Sequence, residues 1–342
     1  MGYFFQNSKK IIVLIVLFLS FEQLFSQDLH YSQFYNTPQN YSPAQTGLFN
    51  GDHRFIFSLR DQWRFVPVPW FTMSGAYDRR FDIGKSHKHF VGGGANFNYD
   101  RQGDSRLQLL SLSLSGSYHY ILHPKHIVGG GILLGFASRG FNTGDLTWDK
   151  QWTGDIFDQN LPSGENFDAQ TVTFLQNGAG LNYRFQQSSR THFDLSGTVF
   201  HIINPSANFY NGDDTKLPRH FAFTATGNFK IMEKADIQLH GLQQIQGEYE
   251  ETLFGGLIKY YLNNKPGKVF HIHAGLGYRT AKSFIPTLAI QYNEIYASFS
   301  FDIDNNEFNR ILNSNRGGPE FHVRYIITNV KPLNEHKACP IY

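Results

Sequence analysis

The chain has 342 residues, 16% of them aromatic (33 Phe and 18 Tyr), with 32 Gly, a single Cys and a formal net charge of +2. A balance this close to neutral offers no electrostatic footprint for nucleic acid, and one cysteine excludes an internal disulfide framework. Scarce Met against abundant Gly and aromatics suits tight turns and curved strands rather than helices.

At the N-terminus, Lys9 and Lys10 precede an apolar run from Ile11 to Leu19, and the small Ser26 lies just before Gln27. A charged n-region, a short apolar h-region and a small residue at the cut read as a secretory signal peptide over residues 1–26. A membrane anchor would need about 20 apolar residues, and no Cys stands at the cut to carry a lipid. Residues 28–50, with Pro38, Pro43 and several Asn, do not alternate, and they read as a plug or a periplasmic cap. The segment 27–50 is therefore set apart from the rest of the chain.

From His53 onward the pattern has period two. His53–Trp63 sets Phe55, Phe57 and Leu59 against Ile56, Ser58, Arg60 and Gln62, and Trp70–Phe81 sets Phe71, Met73, Gly75 and Tyr77 against Thr72, Ser74, Ala76 and Asp78. Phe90–Asp100 obeys the same rule. In the fourth segment Leu110, Leu112, Leu114, Gly116, Tyr118 and Tyr120 oppose Ser111, Ser113, Ser115, Ser117 and His119. Four serines in strict register would spiral around a helix, so this is a strand. Further strands are expected at Ile127–Ser138, Thr171–Phe185, Thr191–Ile203, His220–Ile231, Ala235–Ile245, Glu251–Leu262, Val269–Arg279, Phe284–Tyr292, Ile295–Ile303 and Phe321–Val330.

About fourteen such strands describe an all-β, antiparallel up-and-down barrel crossing an outer membrane over residues 51–330. With the N-terminus in the periplasm, the three longest connections, Arg139–Gln170, Asn204–Arg219 and Asp304–Glu320, all fall outside the cell. The other ends are joined by short turns such as Leu122–His126 and Met232–Lys234, the asymmetry of bacterial outer-membrane barrels. The tail 331–342, with Pro332 and Pro340, is then periplasmic, and its lone Cys339 reads as incidental or as half of a mixed disulfide with a partner. Outer-membrane lipid is the first partner this implies.

Few constellations suggest chemistry. His271 and His273 project together from one strand, and His87 and His89 flank Lys88 in a turn, but neither pair has a third metal ligand at recognisable spacing. Ser117 and His119 share a face, yet serine fills that whole face and no G-x-S-x-G elbow occurs. Asp145, Asp149, Asp155, Asp158, Glu165 and Asp168, interleaved with Trp148, Trp152 and Phe157, suggest either a calcium or protein contact or simply a solvated loop. No catalytic set, metal or cofactor is expected. The lumen face is small and polar, which directs attention to the outer loops and the two chain ends.

Three stretches resemble the PorP/SprF proteins of the type IX secretion and gliding apparatus of Bacteroidetes. They are Gln27-Asp28-Leu29-His30-Tyr31-Ser32-Gln33-Phe34-Tyr35 followed by Ser42-Pro43-Ala44 and Thr46-Gly47; Leu59-Arg60-Asp61-Gln62-Trp63; and Gly317-Gly318-Pro319-Glu320 with Cys339-Pro340 beyond. Ser42 stands where the family usually has Asn. The resemblance implies a non-enzymatic barrel that docks a secreted, adhesin-like surface protein or the periplasmic secretion ring. The competing class is an outer-membrane channel or a carrier for small hydrophobic molecules. Within either frame Arg60 and Gln62 point inward by alternation and are expected to tie residues 28–50 to the wall through charge-assisted hydrogen bonds. Trp63 is expected in an aromatic girdle at the outer interface.

Overall fold

A computed structural model of the chain describes residues 29–62, 70–84, 88–103, 105–144, 146–165, 169–209, 216–265, 267–280, 283–304 and 317–328. The signal segment 1–26, Gln27, Asp28, Trp63, His87, Asp145, Asp168 and the tail with Cys339 lie outside the described residues.

Alternation of small polar and large apolar side chains makes each segment a strand with one wet and one greasy face. The strands are β1 (His53–Gln62), β2 (Trp70–Ile83), β3 (His89–Gln102), β4 (Leu107–His123), β5 (His126–Gly140), β6 (Thr171–Gln186), β7 (His192–Phe200), β8 (His220–Met232), β9 (Ala235–Gln246), β10 (Tyr249–Lys265), β11 (Lys268–Arg279), β12 (Ser283–Tyr292), β13 (Ile295–Phe301), β14 (Ile303–Asp304) and β15 (Pro319–Ile327). Neighbours pair antiparallel in chain order, β11 pairs with β12, and β1 closes on β15. Among the described residues this is a closed ring of fourteen strands, with β14 a two-residue extra strand.

Two expected strands differ. The thirteenth is interrupted at Asp302, so that β13 pairs with both neighbours while β14 pairs only with the end of β12. The seventh stops at Phe200 rather than at Ile203, because His201 adopts a positive φ of 54°, which an extended strand does not accommodate.

The face assignment obeys the alternation. On β4 Ser111, Ser113, Ser115 and Ser117 are buried, while Leu112 and Leu114 are 61% and 67% exposed. A wall of Leu, Ile and Phe therefore faces outward all round the barrel, the surface that lipid requires. At the end of the barrel carrying the short connections, outward histidines bond outward tyrosines: His53 with Tyr77, His89 with Tyr118 and His126 with Tyr183, at 2.9, 2.6 and 2.7 Å. Amphipathic rings of this kind suit a membrane–water boundary.

The lumen is not empty. Residues 29–50 run inside it as 3-10 turns at Phe34–Asn36 and Pro43–Gln45 around one α-helical turn, Pro38–Tyr41. Proline begins both of the last two, where a missing N–H costs nothing. Leu29 packs with Leu109, Ala137 and Phe174 at the long-connection end, alongside Leu217 and Ala207 from the β7–β8 connection. From there the segment descends to Asp52, whose N–H meets the Ile327 carbonyl at the opposite end. The described segment, residues 29–50, thus lies within the ring of strands. Its start therefore lies at the long-connection end and not beside the end of β15.

Candidate functional site

The segment is held by three different kinds of contact, each placed by the inward alternation of the strands. The first is apolar. Phe34 and Tyr41 bury against Leu242, Leu253 and Ile285 of β9, β10 and β12, and the Tyr41 hydroxyl accepts the Tyr31 N–H at 2.7 Å. Burying two such rings is worth about 1.5–3 kcal/mol each.

The second is a floor of glycines. Ser42–Gly47 lies directly on inward positions that carry no side chain. A Cβ on Gly131 of β5 would stand 2.5 Å from the carbonyl carbon and oxygen of Pro43, and one on Gly92 of β3 would fall on the Thr46 carbonyl. Gly47 itself takes φ +69° against Gly92, a conformation that favours glycine. Polar contacts then fix the register. Ser42 accepts from Ser196 at 2.6 Å, Thr46 donates to Ser115 at 2.9 Å, and the Gly47 N–H donates to Asp78 at 2.7 Å. Asp78 is completed by Arg54, at 2.7 and 2.8 Å.

The third is a buried cluster of charge at the long-connection end. Arg60 donates to the His30 carbonyl and to Asp302, both at 2.6 Å. Arg279 donates to Asp302 and Glu251 at 3.2 Å and to the Ser32 hydroxyl at 2.6 Å, and that hydroxyl in turn donates a hydrogen bond to Asp302. Glu320 accepts the backbone N–H groups of Ser32 and Gln33 at 2.8 and 2.6 Å. Arg60, Asp302 and Glu320 are at most 2% exposed. Each charge is therefore both paired and hydrogen-bonded, the condition under which burial is tolerated.

Three sequence stretches separated in the chain meet in this cluster: His30-Tyr31-Ser32-Gln33, Leu59-Arg60-Asp61 and Gly317-Gly318-Pro319-Glu320. The two glycines let the third stretch pass closely, since a Cβ on either would fall on the carbonyl of Asp302 or Asp61. Gln62 is buried at the same end of β1. Sequence reasoning missed Glu251, Arg279 and Asp302. Their signal was an inward-facing charge at the end of a strand, which has to find a partner.

Ser117 and His119 also resolve into the plug. The Ser117 hydroxyl donates to the Thr46 carbonyl at 2.6 Å, and His119 Nε2 lies 3.0 Å from Ser117 Oγ and 3.3 Å from the same carbonyl. With the serine proton committed to Thr46, the imidazole donates to the serine oxygen, the reverse of nucleophile activation. Among the described residues His119 Nδ1 has no hydrogen-bond partner, so no acid there completes a triad; the ring is held by stacking on Phe90. Replacing Ser117 with alanine is expected to lower stability by about 1 kcal/mol, read as a small shift in the urea midpoint of the detergent-solubilised barrel. A shift above the cost of one hydrogen bond would contradict this reading.

His271 and His273 both face the lumen, and among the described residues no three His, Cys, Asp or Glu are placed to hold a metal ion. In the long β5–β6 connection Asp149–Gln151 forms a 3-10 turn and the backbones of Trp152 and Phe157 make an antiparallel bridge, with both side chains exposed.

A family model described as type IX secretion system membrane protein PorP/SprF matches residues 23–325. No curated protein matches the chain. Among solved structures, a TodX monoaromatic hydrocarbon channel deltaS2 mutant aligns with a TM-score of 0.50 at 10% identity, covering 85% of this chain and 93% of that one. A Pseudomonas aeruginosa FadL homologue aligns at 0.49 and 9% identity, covering 83% and 91%. At 10% identity the likeness to the TodX mutant is one of barrel fold alone.

Proposed function

The chain belongs to the PorP/SprF family of type IX secretion system membrane proteins, and from that membership and its filled lumen we propose that it is a non-enzymatic docking component of the secretion machine. In this reading the barrel is an anchor in the outer membrane. Its long connections face the outside and its short ones the periplasm, and it holds a secreted surface protein or the periplasmic ring. The observation that carries the reading is the plug. A segment of more than twenty residues, tied by buried ion pairs and laid on glycines, leaves the lumen little room to act as a diffusion pore.

Planar-bilayer recording of the purified protein tests this: the expected trace is silent, and steady open-pore current would favour the channel reading instead. Co-purification from cells is the second arm. A secreted or periplasmic secretion component is expected to accompany the barrel, and its absence under mild detergent would sink the docking role.

A further inference from the structure

Below the plug, at the short-connection end, lies a cavity of about 290 Å³, near the lower bound for small-ligand sites, which run from about 300 Å³. Four cations border it. Two are already neutralised, Arg54 by Asp78 and Arg184 by Asp194, each at 2.7 Å. The other two, Lys259 and Arg324, have no carboxylate within ion-pair distance among the described residues. The neighbouring carboxylate, Asp236, is held by Arg190 at 2.5 Å.

Strand register brings these groups together. Lys259 of β10 stands opposite His273 of β11, and Tyr296 of β13 stands opposite Arg324 of β15. Between them the β12 residue opposite His273 is the small Ala289, which leaves room for the rings of His273 and Tyr296 to meet at 5.4 Å. The Arg324 guanidinium lies 4.5 Å over the Tyr296 ring, and the Lys259 ammonium 4.9 Å over Tyr261. Ring faces steady a cation but supply no hydrogen-bond acceptor in its plane. His273 is 5% exposed, and among the described residues neither of its ring nitrogens has a hydrogen-bond partner. Tyr35 reaches the same cavity from the plug, with its hydroxyl beside Thr287.

Two cations with no ion pair among the described residues and an unpartnered imidazole around one cavity define what is missing: a negative charge with several acceptor oxygens. We propose that this is a binding site for the oxyanion group, carboxylate or phosphate, of a small organic ligand entering from the short-connection end. Arg324 and Lys259 supply charge, and His273 supplies a directed hydrogen bond. The site is independent of the docking role, because its residues line the lumen rather than an outer surface.

The test is calorimetric titration of the detergent-solubilised protein with glutarate and, separately, with glycerol 3-phosphate, using neutral glycerol as control. At least one oxyanion probe is expected to bind and glycerol not to. Preference for glutarate identifies a carboxylate site, and preference for glycerol 3-phosphate a phosphate site. Lys259→Met and Arg324→Met, which keep the apolar stems, should each weaken binding roughly tenfold, and the double variant should abolish it. Heat-modifiable migration on gels confirms that each variant is a folded barrel. Failure of both probes to bind, or binding unchanged in the folded double variant, overturns the proposal.

Discussion

Replacing Gly131 with leucine is expected to expel the N-terminal segment from the lumen while the barrel stays closed. The new Cβ would stand 2.5 Å from the carbonyl carbon and oxygen of Pro43 and 2.6 Å from the Ala44 nitrogen. All three are backbone atoms of a 3-10 turn, so no flexible side chain can swing aside. The wall cannot retreat either, because β5 is hydrogen-bonded along its length to β4 and β6. Overpacking a fitted interior costs about 1–3 kcal/mol even where neighbours can yield; here the segment that yields is the one without a sheet. Limited proteolysis should then cut within residues 29–50, and ion conductance should appear in planar bilayers. Gly130 is the internal control. Its Cβ would point outward, 3.5 Å from a Leu181 methyl, an ordinary contact, so Gly130→Leu should remain protected and silent. A protected, silent Gly131→Leu would show that the glycine floor does not seat the plug.

The second large effect is expected at Asp302. Its carboxylate is shared by Arg60, Arg279 and the Ser32 hydroxyl. Asp302→Ala leaves Arg279 with Glu251 at 3.2 Å and Arg60 with Glu320 at 3.6 Å, so the loss is expected near the lower end of the about 3–5 kcal/mol that breaking a buried pair costs. The urea midpoint should fall, and protease should reach residues 29–33 first. Arg60→Ala removes one of those cations and the bond to the His30 carbonyl, and it too should loosen the segment. The double variant should be less damaged than the two single losses added together, since the two side chains are partners and each single variant already removes their shared ion pair, a coupling of about 0.5–3 kcal/mol. Strict additivity, or unchanged protease resistance in Arg60→Ala, would mean that the segment is anchored elsewhere.

Much of this architecture is legible in the amino-acid sequence. A strand exposes alternate residues to opposite media, so the demand of lipid on one side and water or plug on the other writes itself into the sequence as period two. The inward serines of β4, the inward Arg60 and Gln62, and the division between long and short connections all derive from that constraint. The interruption at Asp302 does not, because Ile303 and Asp304 keep the alternation while leaving the β15 edge. The early end of β7 is hidden for a similar reason, since a backbone turn at His201 leaves no mark on hydrophobicity.

The candidate site is legible only in part. The resemblance picks out Ser32-Gln33, Arg60 and Glu320 as separate stretches, and alternation turns Arg60 toward the lumen. Neither reveals that all three meet, nor that Glu251, Arg279 and Asp302 complete the cluster. Inward charges on different strands become partners only once barrel closure and stagger set which of them share a level. Non-strand residues 29–50 have no periodicity to read, so their path, from Leu29 at the long-connection end down to Asp52, has to come from packing. The same holds for Gly92 and Gly131, which in sequence look like any strand glycine.

By itself, then, the sequence determined what each strand residue faces, because that depends on a local period of two. Tertiary structure alone decided what each inward residue touches, because that depends on register around a closed ring and on a segment threaded through it. The long-range ion pairs that hold the plug, and the grouping of Lys259 and Arg324 beneath it, belong to that second kind of information.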